Sequence, residues 1–319
     1  MLSFVLLLAE AAELGLAWRF VAGWRDAGMP WLAALAAVAL LAFGWRALLV
    51  LATFRLAGLG WPSARLWLVE SAAFSRAYLA MTIEPLLSSV DRLRSASSPR
   101  APADKASLPV DPDSGLPRLV FVHGWCCNCA VWRPVLRAWR RAGGAAPTVV
   151  TLAPVLGDID RMARHLDRCL LAGRGASGPI FIVAHSMGGL VARRWLQQRG
   201  TADITGLLTV GTPHAGTRLA RWGPGQAARQ MRPGSSWLQR LECSSDARQR
   251  PAGAPLTCVW SAVDNFVAPA GSARRPGAAS IEMVGVGHFG MLRSTALLDA
   301  LQRALPIAPV PAATAAGSA

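Results

Sequence analysis

A serine on a tight turn between a buried strand and a helix can act as a nucleophile, and residues 179–200 place Ser186 on such a turn. Pro179 to Ala184 is a short, β-branched apolar run suited to a buried parallel strand. Leu190 to Gln198 has helical spacing and stops at Gly200. The strained turn would lift Oγ above the sheet, and the free N–H groups that open the helix would favour a developing negative charge. The usual pattern around such a serine is Gly-x-Ser-x-Gly; here Ala184 stands first, still small enough for a turn this tight. A Gly-rich turn that only packs closely would share the pattern, so the partners decide.

A serine nucleophile needs a general base and an acid that orients it, and on a sheet of this kind the chain order is Ser, then Asp or Glu, then His. Leu256 to Ser261 reads as a strand followed by Asp264, and Ser280 to Val284 as a strand followed by Gly287, His288 and Gly290. Both candidates therefore fall just past a strand, at the sheet edge where Ser186 also lies. Ser186 is assigned as nucleophile, His288 as base then acid, and Asp264 as the group that orients and stabilises the imidazolium. His185 adjoins the nucleophile and reads as structural support. His165 sits in a polar helix, Glu282 lies within a strand, and Asp246 lies in a loop-like insertion.

The oxyanion hole requires the backbone N–H after the serine, that of Met187, and one from the loop after an earlier strand. Leu119 to Val122 is such a strand, followed by His123, Gly124, Trp125 and Cys126. Gly124 permits close backbone approach; Trp125 is the expected donor, with Cys126 as the alternative. His123, Gly124 and His214 are candidates to contact substrate, His214 as a pocket-wall or loop-fixing residue.

Together, His123-Gly124, the run Ala184-His185-Ser186-Met187-Gly188-Gly189, the loop Gly211-Thr212-Pro213-His214-Ala215-Gly216, Asp264 and His288 resemble the α/β-hydrolase superfamily. Within it they look most like bacterial lipases and esterases with an AHSMGG-type nucleophile elbow. The resemblance spans roughly residues 117–303 and implies an ester hydrolase on a mostly parallel sheet, acting without metal or organic cofactor. Ala184 in place of the first glycine is the one departure.

These residues need a sheet to hold them. Strands at 119–122, 148–152, 179–184, 204–210, 256–260 and 280–284 alternate with helices at 130–141, 158–171, 187–198 and 292–303. This predicts a compact α/β-hydrolase fold over 117–305: a mostly parallel sheet with helices on both faces. An insertion at 217–254 falls where a cap or lid belongs; it holds seven arginines with Trp222, Met231 and Trp237, a mixture suited to an anionic lipid surface.

The chain of 319 residues exceeds what that domain needs, and nearly all the surplus is N-terminal. Trp31 to Ala52 is apolar but for Arg46, and about 33 Å of helix would cross a bilayer. Residues 2–22 are similarly long but carry Glu10, Glu13 and Arg19, so this segment either spans or lies on the membrane. The expected organisation is a membrane hairpin over 1–55, an amphipathic helical segment over 56–94 with its helix ending at Glu84-Pro85, a linker over 95–116, and a disordered tail over 306–319. In the hairpin Glu10 and Arg46 come to similar depth, and their charges should pair. Arg55, Arg65 and Arg76 after the second segment favour a membrane-anchored protein of a bacterial inner membrane with its catalytic domain facing the cytoplasm.

The formal charge of +15 favours anionic membrane surfaces, while no nucleic-acid motif accompanies it. Cys126, Cys127 and Cys129 lack a second ligand cluster at zinc spacing, so no metal is expected. The sequence thus predicts a membrane-anchored serine ester hydrolase for lipid-like acyl esters. An acyltransferase or thioesterase would use the same three residues, and a non-catalytic membrane scaffold would be betrayed by a broken set.

Overall fold

The computed structural model describes residues 2–97, 117–172, 179–200, 203–243 and 254–305. Six strands form one sheet: β1 (Arg118–Val122), β2 (Thr148–Val150), β3 (Ile180–His185), β4 (Ile204–Val210), β5 (Leu256–Trp260) and β6 (Ala279–Glu282). Their order is β2-β1-β3-β4-β5-β6, and every neighbouring pair is parallel. The central strands β1, β3 and β4 are almost wholly buried, as their Val, Ile, Leu and Phe content dictates.

Apolar cores cover both faces. On one, α5 (Ile159–Ala172) and α6 (Met187–Arg199) pack Ile159, Met162, Leu166, Leu190 and Trp195 against Val120 and Ile182. On the other, α4 (Arg133–Arg141) and α9 (Thr295–Ala304) join Trp132, Leu297 and Leu301 to Phe121, Phe181 and Leu208. Between β4 and β5, the insertion folds as a short 3-10 turn, α7 (Gln226–Gln230) and α8 (Ser236–Cys243), whose Ala227, Trp237 and Leu241 join the first core.

Three helices precede the sheet: α1 (Leu2–Asp26), α2 (Trp31–Ala57) and α3 (Ala64–Ser97). The first two form an antiparallel hairpin. Arg46 of α2 meets Glu10 at 2.5 Å and Glu13 at 3.1 Å, the charge pairing expected from the sequence with a second carboxylate added. Among the described residues α2 is the helix long and apolar enough to cross a membrane.

One expectation needs correcting. The helix expected to stop at Glu84-Pro85 continues to Ser97. Proline at 85 has no N–H to give the carbonyl four residues back, which is that of Met81. Asn128 Nδ2 donates to Met81 O at 2.9 Å instead, so the oxygen stays paired and the helix runs on. Its docked part is also held by Glu84 to Arg133 at 2.6 Å and by Ala73 and Met81 in the second core. Of the expected linker, residues 95–97 belong to α3; 98–116, the insertion's 244–253 and the tail 306–319 lie outside the described residues.

Candidate active site

Strand order changes direction between β1 and β3, and the crevice beyond the carboxyl ends of such strands is where open α/β sheets place their ligands. Ser186 sits there, immediately after β3 and at the N-terminus of α6, with φ +54° and ψ −130°. A left-handed serine costs about 1–3 kcal/mol and persists only where packing imposes it. The packing is visible in three glycines. A side chain at Gly188 would run into the Val122 and His123 carbonyls, one at Gly189 into Thr212, and one at Gly124 would lie 2.8 Å from Ser186 Cβ. Among the described residues, Cys126 shares with Ser186 a positive φ on a non-glycine residue. The turns on both sides of the crevice are therefore strained.

Asp264 follows β5 and His288 follows β6, bringing together two residues far apart in sequence. His288 Nδ1 lies 3.0 Å from Asp264 Oδ1 and 2.9 Å from Oδ2, with both side chains buried. Facing a carboxylate, Nδ1 carries the proton, which leaves Nε2 as the basic nitrogen. Asp264 Oδ1 also accepts the amides of Phe266 and Val267, each at 2.9 Å, fixing the carboxylate before any substrate arrives. Ser186 and His288 line one cavity of about 440 Å³, without a direct hydrogen bond between them among the described residues. Such bonds are often long before substrate binds.

Residues to which the sequence assigned no role of their own hold this pair. Gly211, at φ +55°, leaves room for them, since a Cβ there would lie 3.0 Å from both Asp264 Oδ2 and His288 Cε1. Asn265 Oδ1 accepts from His288 N at 3.1 Å, while its Nδ2 donates to Thr53 Oγ1 of α2 at 2.6 Å. Glu70 of α3, fully buried, accepts from Phe289 N at 2.7 Å and Gly290 N at 2.8 Å. Burial pushes its carboxyl up to about 7, against the pull of these amides and of His288. Acidic spacing in α3 carries no signal for this, because the partner is a backbone loop over two hundred residues away.

The other candidates are placed as follows. Gly124 and Trp125 line the cavity; Met187 is the first residue of α6 and buried; Cys126 does not line the cavity, whereas Cys127 does. Contrary to the expected substrate contact, His123 is buried away from the cavity. Its Nε2 accepts the Leu152 amide at 2.8 Å and its Nδ1 lies 2.8 Å from Gly124 O. Burial lowers its pKa to about 4, so it is a neutral brace between the loops after β1 and β2. His214 likewise stands off the cavity, beside Thr209 Oγ1 at 3.2 Å and Arg193 at 3.4 Å, with burial holding its pKa well down. His123 is held by backbone partners and His214 by side chains of the core, the latter matching the loop-fixing alternative; neither set of partners is displayed by the sequence.

His185 packs its ring 4.5 Å from that of His288, edge-on to Trp132, and burial keeps it neutral. His165, on α5 and away from the cavity, has Nε2 3.1 Å from Thr151 O. Burial pushes the Cys126 thiol up to about 11 and that of Cys127 to about 12, which leaves negligible thiolate near neutral pH.

Comparison with known proteins agrees with this architecture. A family described as the PGAP1-like alpha/beta domain matches residues 168–223, the stretch around Ser186. Phospholipase YtpA of Bacillus subtilis (strain 168) is 29% identical over 98 residues, 28% of this chain and 38% of that protein. The chain thus spans well under half the length of this curated relative. Lipase BlEst2 of Bacillus licheniformis superposes in its mature form with a TM-score of 0.53 at 17% identity, over 63% of this chain and 97% of that one. Its propeptide form gives 0.51 at 18% identity, over 64% and 53%. The chain has the α/β-hydrolase fold, in a six-stranded parallel form preceded by N-terminal helices.

Proposed function

We propose that this protein is a membrane-anchored serine ester hydrolase, an esterase or lipase, that cleaves lipid-like acyl esters through an acyl-serine. The observation that carries the reading is the strained Ser186 sharing one largely apolar cavity with His288, whose far nitrogen is held by buried Asp264. Ser186 Oγ attacks the ester carbonyl as His288 Nε2 takes its proton, and Asp264 steadies the imidazolium. The Met187 amide, at the start of α6, and that of Trp125 or Cys126 receive the oxyanion. His288 then protonates the leaving alkoxide and activates the water that releases the acid.

The relatives named phospholipase and lipase support lipid esters as the substrate class. Anchoring is supported by α2, whose Leu32, Leu35, Leu40 and Leu48 remain exposed. Arg25 over Trp31 and Arg55 over Trp61 put amphipathic pairs near its two ends, as at membrane interfaces. Arg55 in the last turn of α2, with Arg65 and Arg76 after it, favours a cytoplasmic catalytic domain at a bacterial inner membrane. The paired Arg46, Glu10 and Glu13 lower the cost of placing charge within the hairpin. Within the insertion, the described part keeps Trp222 exposed, available to a lipid surface.

The test is turnover of p-nitrophenyl esters and vesicle phospholipid by the full chain and by Ser186→Ala. Hydrolysis by the wild type that disappears in the variant is expected. Equal rates in both would refute the assignment.

A further inference from the structure

The cavity that holds Ser186 is not built by the hydrolase domain alone. Leu49, Thr53 and Leu56 of α2 line it, at i, i+4 and i+7 and therefore on one face of that helix. The insertion contributes Leu219, Ala220, Trp222, Ala228 and Met231 to the same lining. Two hydrogen bonds fix α2 in this position: Asn265 Nδ2 to Thr53 Oγ1 at 2.6 Å, and Arg218 to the Ala57 carbonyl at 2.9 Å. The second holds an end-of-helix carbonyl that no further turn can satisfy.

A second apolar groove, of about 590 Å³, runs between α1 and α2 and is lined by Ala12, Leu16, Phe20, Leu41 and Trp45. Leu49 belongs to both linings, so the groove and the catalytic cavity adjoin at that residue. Phe74, another wall of the groove, stacks on Phe266 and meets Phe289 edge-on, and both of these line the cavity.

From this arrangement we infer that the cavity-facing side of α2 is one wall of the acyl-chain subsite, with Leu49 and Leu56 setting the length and bulk of the chain accepted. The inference rests on the hydrolase reading above. The occupant is the acyl chain of an ester dissolved in the bilayer. The wall is apolar, it belongs to the helix that is long and apolar enough to span a membrane, and it adjoins a groove between the two hairpin helices. A short polar acyl group would gain nothing from such a wall, whereas a long chain finds there an apolar surface continuous with the one it leaves, and any part of it that would otherwise meet water at the catalytic serine gains with each methylene covered. The hairpin then acts as part of the specificity pocket as well as an anchor.

The experiment uses the full chain in phosphatidylcholine–phosphatidylglycerol vesicles and a p-nitrophenyl ester series from acetate through octanoate to palmitate. Leu49→Trp and Leu56→Trp fill the slot, Leu49→Ala and Leu56→Ala open it, and Leu35→Trp, on an exposed part of α2, is the control. A serine-directed fluorophosphonate reports separately on Ser186. Expected are full labelling in every variant, a palmitate-to-acetate ratio of kcat/KM that falls roughly tenfold or more in the tryptophan variants, a ratio shifted toward longer or bulkier acyl groups in the alanine variants, and no change in the control. Full labelling with an unchanged chain-length profile would overturn the subsite while leaving the hydrolase reading intact. If a tryptophan variant misfolds and loses labelling, the alanine pair decides by the same criterion. Absence of labelling in the wild type would overturn the hydrolase reading, and the subsite with it.

Discussion

Glu70, on the last helix before the hydrolase domain, accepts the backbone amide of Phe289 at 2.7 Å, one residue beyond His288. The neighbouring Gly290 amide meets its other oxygen at 2.8 Å. A side chain at Gly287 would strike the Glu70 carboxyl group, so the loop is moulded around this carboxylate. The N-terminal helices therefore hold the loop that presents the proposed base.

Replacing Glu70 with Gln keeps one acceptor but turns an NH2 toward the second amide. Leaving that buried amide unpaired should cost about 1–3 kcal/mol. Chemical unfolding at about pH 5, where the Glu70 carboxyl is neutral in the fold, should show a lower midpoint, and kcat should fall more than KM changes, because the loop carries His288 while the cavity walls remain. Glu70→Ala should be worse on both counts.

The same carboxyl makes stability depend on pH. With its pKa raised from 4.5 to about 7 in the fold, the native state binds this proton more tightly than the unfolded chain. Its contribution is therefore fully present below pH 4.5 and is lost as pH rises through about 7, up to about 3 kcal/mol in all. Urea midpoints measured across this window should decline in the wild type more steeply than in Glu70→Gln.

Asn265 joins α2 to the His288 amide. Asn265→Ala should lower kcat by up to roughly a hundredfold, the scale associated with a catalytic group displaced by about 1 Å. Thr53→Val, which removes the tie to α2 and the hydroxyl's bond to the Val50 carbonyl but leaves Asn265 on the His288 amide, should cost much less. Steady-state kinetics on a soluble ester distinguishes the two; equal losses would mean that α2 itself sets the position of His288.

At Asp264, substitution by Asn presents an amide to His288 Nδ1 and favours the wrong tautomer. Turnover should fall by the order of 10⁴-fold. Gly211→Ala should reach a similar end by crowding, since its φ of +55° disfavours a side chain and the added atom would press on both Asp264 and His288. Folding of each variant is checked by circular dichroism, so that loss of rate is not loss of protein.

Much of this arrangement was legible in the sequence because it is local. The β-branched run before Ser186, the glycines after it, and acid and base each just past a strand are short-range patterns, and the six strands lie within a few residues of their expected places. What the sequence did not display is long-range polar accounting. Asn128 rescuing the carbonyl that Pro85 leaves unpaired turned an expected helix end into a continuous helix. His123 and His214, prominent in their motifs, are consumed by backbone and core partners. Glu70 and Thr53 reach the His288 loop only because the N-terminal helices dock against the domain, and no spacing rule connects residue 70 with residue 289.

The central claim, that Ser186 is an activated nucleophile, is tested most directly by covalent capture. The full chain in vesicles is treated with a fluorophosphonate and digested, and the modified peptide is located by mass spectrometry. The account predicts a single adduct on Ser186, absent from Ser186→Ala and strongly slowed in His288→Ala. An unmodified Ser186 in folded protein, or labelling at the same rate without His288, would contradict it.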